Sequence, residues 1–590
     1  MRAYQNRYID NLKRVQELMD FPKLSPREPK ELYQLRVKNG GQARKLIQEN
    51  TAPAALAGGV RQLDLVLGYT IHDALITYAR HWKKREFLIQ ELYYTGLALF
   101  YMQSRIGSTG KHLYNWKIGL VFGEAAAYLK RYDEIHDMET RGFIHRAMAN
   151  LALAYHNTET PAEAEKKAQI IRRSLRVLSD PAYHEKSPSL PWDVYITKSH
   201  QERTTLMTLL RTGADDSRIV REVMESAQYV WERQLENSRK RGTPVEQRWV
   251  VGYEAALYHC GVQPLTKLLQ RMEDVYMERN ADDYSDDGVY ANIFHIGLYA
   301  DYLRRDEELV WKKKEVLKYM YRMLMRYVQN APNDQWNEGV TRNLLEMMKS
   351  FIEYPDGLAY KDFLLQMVVC RDPDAFVFAR RVAEVSVMLM QAMIEQKPQE
   401  LVGALGIDRV EEVAQHRNEL LEFAYDSGML HDVGMIAFGG VVRSSGRSWL
   451  EEEREMYACH AYAGYQMLRR CDSTRAYAQT ALGHNAFFNG MGGYPKEYVR
   501  AKNPEAAVTD IVSAAAFLLR QMSEQLYVER PRLSAAEAVE LAGRRAGERF
   551  SPAVCELAAE LLPELEAYVE AGSEQAYCEA FRRLFGAQGA

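Results

Sequence analysis

Cysteine is sparse and unpaired in this chain. Cys260, Cys370, Cys459, Cys471, Cys555 and Cys578 are scattered through 590 residues with no Cys-x-x-Cys spacing. A disulfide-stapled scaffold and a zinc finger are therefore excluded, and reduced thiols in a cytoplasmic protein are expected. Long hydrophobic runs are missing too: none approaches the roughly 20 residues of a membrane span. The segment Met1 to Tyr8 lacks the apolar stretch of a secretory signal. Neither sign of charge dominates, with 76 basic against 80 acidic residues and a net charge of −4. A global field for nucleic acid or an anionic membrane is thus absent, and neither is expected as a partner. Short clusters such as Lys312-Lys313-Lys314 read as solvated helix faces. Strand-type alternation of apolar and polar residues is also missing.

What is present is helical periodicity along almost the whole chain, which predicts an all-α protein. Hydrophobic residues make up 47% and charged residues 26%, an ordinary globular balance. The length exceeds what one core serves, so two domains are expected, residues 1–360 and 361–590. Breaks are read at Ser187–Pro191, Asn280–Gly288 and Tyr354–Gly357.

In the first region, Asn150–Tyr155, a turn containing Pro161, and Ala164–Leu178 closing at Asp180-Pro181 resemble a tetratricopeptide unit. The turn is longer than that family's. Weaker echoes at irregular spacing predict a divergent α-solenoid-like repeat region, and a non-repeating helical domain is the alternative. A solenoid leaves a concave face free, so this region is expected to bind a protein partner or regulate its neighbour.

The second region carries the chemistry. His431-Asp432 follows the apolar pattern Leu420, Leu421, Phe423, Ala424. A buried imidazole beside a carboxylate offsets its burial cost most readily by holding a metal ion. His460 lies on an apolar stripe with Met456, Ala463, Gly464 and Met467. Asp510 shares a stripe with Ala506, Ala507, Ser513, Ala514 and Phe517. His484-Asn485 precedes the loop Gly490-Met491-Gly492-Gly493-Tyr494-Pro495. Separate helices aiming ligands at a common interior is how helical bundles build metal sites. One by one, a core histidine or a helix-helix hydrogen bond is the better explanation of each residue. Their order and company favour the metal reading. His145, His156, His295 and His416 have no such company and are read as structural.

This ordered set resembles an HD-GYP domain, the branch of the HD phosphohydrolase superfamily that hydrolyses cyclic di-GMP. Leu430-His431-Asp432-Val433-Gly434 stands at the His-Asp signature and Gly493-Tyr494-Pro495 at the second motif. Further likeness runs through Ala379–Glu384, Leu533–Ala538 and Gly547–Pro552.

The resemblance implies a helical domain with two divalent ions, iron or manganese. One would be held by His431, Asp432 and Asp510, the other by Asp432, His460 and His484. A metal-activated hydroxide would attack a phosphodiester in a cyclic dinucleotide or related nucleotide, with His431 and Asp432 central to catalysis. Gly493, Tyr494 and Pro495 would line the substrate. Three positions depart from the family pattern. Phe378 replaces a histidine, Asn485 the second of two histidines, and Met435 a lysine. Asp374 and Asn485 are candidate compensating ligands. Arg443 and Arg447 are candidate phosphate contacts, with surface arginines as the equal alternative. A degenerate domain that binds a nucleotide or protein without turnover is therefore the alternative function.

Overall fold

A computed structural model of the chain describes residues 83–106, 112–155, 160–209, 218–283, 290–330, 359–437, 451–523 and 532–586. Tyr69, His72, Asp73, Ile76, Ala79, Arg80 and Gly288 are described besides. Every regular element among these residues is a helix, and the protein is all-α as its periodicity predicts. None of the described helices is long and apolar enough to cross a membrane. The chain divides into two compact units at Met323–Leu324. That division precedes the boundary expected near residue 360; the first described helix after it starts at Tyr360. The break read at Tyr354–Gly357 lies outside the described residues.

In the first unit the main helices are α1 (Arg85–Ile106), α2 (Asn115–Ala127), α3 (Met138–Asn150), α4 (Pro161–Leu178) and α5 (Trp192–Thr204). They are followed by α6 (Arg218–Arg241), α7 (Gln247–His259), α8 (Leu265–Glu278), α9 (His295–Leu303) and α10 (Val310–Asn330). Chain neighbours pack on one another from α1 through α9. Their lengths run from 9 to 24 residues and set no constant repeat.

The segment likened to a tetratricopeptide unit shows why its proline sits where it does. Pro161 is not in a turn: it opens α4, where its missing N–H is no loss. Thr160 accepts from the Glu163 amide while the Glu163 carboxylate accepts from the Thr160 amide, a reciprocal cap. Asp180 then caps a short helix, Pro181–Lys186, by accepting from the Ala182 amide. Buried His145 shares a hydrogen bond between Nε2 and the Tyr132 hydroxyl at 3.0 Å, and His295 donates from Nε2 to the Met272 carbonyl at 2.8 Å. Half-buried His416 faces Glu419. These three have structural partners, and His156 lies outside the described residues.

The second unit contains α11 (Tyr360–Arg371), α12 (Pro373–Gln396), α13 (Arg417–Leu430), α14 (Glu451–Leu468) and α15 (Ala478–Gly483). After them come α16 (Ala506–Met522), α17 (Ala535–Gly543), α18 (Pro552–Glu560), α19 (Leu562–Ala571) and α20 (Glu574–Gly586). Asp372 caps α12 through the Asp374 and Ala375 amides, with Pro373 as its first residue. Ser534 and Glu537 form the same reciprocal cap on α17 as Thr160 and Glu163 form on α4. The core joins Val382, Val385 and Leu389 of α12, Leu420 and Ala424 of α13, and Ile511, Ala515 and Leu518 of α16. Burial of this size, at roughly 25 cal/mol per Å² of apolar surface, fixes α12, α13 and α16 as the frame on which the polar centre is carried.

Candidate metal centre

Two helix ends and one helix face deliver the histidines of the centre. α13 finishes at Leu430, so His431 stands at its C-cap and Asp432 just beyond. The chain then turns through a short 3-10 segment, Val433–Ala437, lying against α14. Gly434 makes that approach possible: a Cβ there would collide with the His460 carbonyl oxygen. α14 presents His460, fully buried, from its inner face. α15 ends at Gly483 and leaves His484 at its C-cap.

The three imidazoles share one arrangement. His431 Nδ1 donates to the Gly428 carbonyl at 2.6 Å, His460 Nδ1 to Tyr457 at 2.6 Å, and His484 Nδ1 to Ala481 at 3.0 Å. Each acceptor is three residues earlier in the chain. Tying down Nδ1–H leaves Nε2 as the lone-pair atom, and all three Nε2 atoms face Asp432. His460 and His484 Nε2 lie 3.0 and 3.1 Å from Asp432 Oδ1, and His431 Nε2 lies 3.7 Å from Oδ2.

Burial pushes His431 down to about 4 and lowers His484 as well, so both are neutral at neutral pH. The Asp432 carboxyl is held well below the usual carboxylate range and is ionised. Acceptors therefore face acceptors in a buried space. His431 Nε2 and Asp432 Oδ1 are both buried without a hydrogen-bond partner among the described residues. Leaving such atoms bare costs several kcal/mol each, and a cation between them removes the cost. The donor set of imidazole nitrogen and carboxylate oxygen fits a first-row divalent ion.

The other expected residues divide. Asn485 joins the cluster, its side-chain amide 2.6 Å from His484 Nε2 and 3.3 Å from His460 Nε2. The atom facing the imidazoles is Nδ2, which donates to His484 Nε2; only a flipped amide would turn its oxygen inward as a ligand. Tyr494 also reaches it, its ring centroid 5.9 Å from that of His460. Gly493, at φ +75°, brings that loop against the Asn485 carbonyl, to which the Tyr494 amide donates at 3.2 Å. Pro495 follows, buried. Phe378 does present itself to the site from α12, its ring 6.2 Å from that of His431, and brings no ligand atom. Met435 lies in the 3-10 turn with its amide on the Asp432 carbonyl.

Two expected ligands are placed elsewhere. Asp510 pairs with Arg500, at 2.7 Å from Nη2 and 3.0 Å from Nε. Burial pushes its carboxyl up to about 6 against the opposing pull of Arg500. Asp374 is exposed at the start of α12 and accepts from the Tyr577 hydroxyl at 3.0 Å. Arg443 and Arg447 lie outside the described residues.

α16 supplies a different residue to the centre, one that sequence reading passed over. Arg520 Nη2 lies 3.5 Å from Asp432 Oδ2, and its Nη1 donates to the Tyr457 hydroxyl at 3.4 Å. Its guanidinium also stands over the Phe378 ring at 5.5 Å. Ten residues beyond Asp510, Arg520 is displaced about 80° round the helix and about 15 Å along it, so the two serve different faces. Nothing in the sequence marked it, because an arginine closing an apolar helix reads as a partner for the helix dipole.

No protein-family model and no curated protein matches the chain. The reading of the centre therefore rests on its own chemistry and on the motif resemblance.

Proposed function

We propose that the second unit is a metal-dependent phosphohydrolase of HD-GYP type that cleaves a phosphodiester in a cyclic dinucleotide or a related nucleotide. The observation that supports this most is the convergence of three Nε2 lone pairs on the Asp432 carboxylate. His431, Asp432, His460 and His484 would hold the ion, iron or manganese, with the Asn485 amide beside them. A divalent ion in such a site polarises a phosphoryl oxygen and makes a water acidic enough to act as a nucleophile near neutral pH.

The chain's own residues do the rest. The carbonyls of Gly428, Tyr457 and Ala481 fix each imidazole in the tautomer that leaves Nε2 available. Tyr494 closes one side of the site with a phenol that burial keeps protonated and able to donate a hydrogen bond. Phe378 seals another side with an apolar ring and restricts water. The first unit, with its chain of packed helices, would bind a protein partner or transmit a signal. A reducing, cytoplasmic setting goes with the free thiols of Cys260, Cys459, Cys471, Cys555 and Cys578.

A second reading, nucleotide binding without turnover, draws on Phe378 in a ligand position and on Asp510 turned toward Arg500. Incubating anaerobically purified protein with cyclic di-GMP and iron(II) or manganese(II) separates the two. Linear product that forms with wild type and disappears with Asp432→Ala supports hydrolysis. Saturable cyclic di-GMP binding without product rules hydrolysis of that substrate out and leaves the binding reading.

A further inference from the structure

The Asp432 carboxylate has two oxygens, and the structure assigns them to different cations. Oδ1 faces His460 and His484 Nε2 at 3.0 and 3.1 Å, the side on which an ion would lie. Oδ2 faces the Arg520 guanidinium at 3.5 Å, with His431 Nε2 3.7 Å from the same oxygen. Arg520 is held there by Asp432, by the Tyr457 hydroxyl and by the Phe378 ring beneath it. Phe378 comes from the helix expected to supply a further ligand and supplies a platform for a cation instead.

Charge leads to the same conclusion. The carboxylates expected to share the load, Asp510 and Asp374, are bound to Arg500 and Tyr577. Asp432 is then the one carboxylate among the expected ligands that meets the histidines. Against that single negative charge, one divalent ion plus Arg520 leaves a net +2, which a phosphate group neutralises. Two divalent ions plus Arg520 would leave +4 within a few ångströms, with repulsion of several kcal/mol per close pair even in a polar protein medium.

We propose that this centre holds a single divalent ion and that Arg520 takes the place of a second one. In this arrangement Asp432 would face both the ion and the guanidinium, and Arg520 would contact an oxygen of the phosphoryl group that the ion would polarise. Guanidinium suits the task, being permanently charged and able to present parallel N–H donors to two oxygens. The proposal rests on the metal-binding reading above but fails separately from it.

The test is manganese(II) titration of the full-length chain, read by equilibrium dialysis and by electron paramagnetic resonance. One ion per chain with the six-line spectrum of an isolated centre is expected. Two ions per chain, or the broadened signal of a coupled pair, would overturn the single-ion proposal and leave metal binding itself intact. No bound manganese would overturn both. Inorganic phosphate binding to the manganese-loaded protein, followed by calorimetry, addresses Arg520. Arg520→Met should still bind one ion but lose at least about tenfold in phosphate affinity, and Arg520→Lys should recover part of it. Equal phosphate affinity in wild type and Arg520→Met would remove Arg520 from the site's work.

Discussion

At Gly434 the backbone leaving Asp432 runs so close to α14 that a Cβ would strike the His460 carbonyl oxygen and the Gly464 amide nitrogen. Both obstacles are backbone, so neither swings aside. Gly434→Ala should therefore push the turn off α14, separating Asp432 from His460. The expected cost is about 2 kcal/mol in urea unfolding, the scale of overpacking a tight interior. Manganese affinity should fall with it by at least about tenfold. Wild-type stability and affinity in this variant would show that the contact does not set the geometry. The same residues show how far the sequence could be read. His431, Asp432, His460 and His484 were legible because an ionisable group on an apolar stripe needs a partner. Asp510 misled by the same rule: it sits on such a stripe, but the partner it found was Arg500. Arg520 stayed hidden because its charge has an ordinary explanation at a helix end.

At the scale of elements, buried histidines in the first unit couple its helices to pH. His145 of α3 is fully buried, bonded to Tyr132 and edge-on to Trp192. Burial, with a lesser contribution from His184, pushes it from 6.5 down to about 3. The unfolded chain therefore takes up a proton in that window while the folded chain does not. Stability from this group is complete above about pH 6.5 and is lost as the pH falls toward 3. Between pH 6.5 and 5 the loss is about 2 kcal/mol, from 1.36 kcal/mol per pH unit. His145→Gln keeps an acceptor for Tyr132 and should flatten the pH dependence of unfolding free energy over that interval. Parallel profiles for variant and wild type would refute this assignment. Helix starts are marked by the capping pairs Thr160–Glu163 and Ser534–Glu537, and the turn expected around Pro161 proved to be such a start. The irregular lengths of the first unit's helices explain why a repeat was expected there but no period emerges.

For the whole molecule, two compact units with separate cores should unfold in separable steps. Scanning calorimetry is expected to show two transitions, of which only the one from the second unit rises on adding manganese. A ligand present at about 100 times its Kd stabilises the unit that binds it by about 2.7 kcal/mol. A shift of both transitions together would mean that the units unfold as one, and no shift would count against the metal centre. The all-α architecture was legible throughout, since a 3.6-residue period needs no tertiary information. The division at Met323 was not, because it falls inside the continuous helix α10 and leaves no break in the pattern. Both the proposed hydrolysis and the role of Arg520 require that the acceptors around Asp432 enclose a divalent ion. Titrating anaerobically purified full-length protein and its Asp432→Ala variant with manganese(II) in a calorimeter tests it most directly. Saturable binding by wild type, weakened at least about 100-fold in the variant, is the predicted result. Absence of binding by wild type, or equal binding by both proteins, would contradict it.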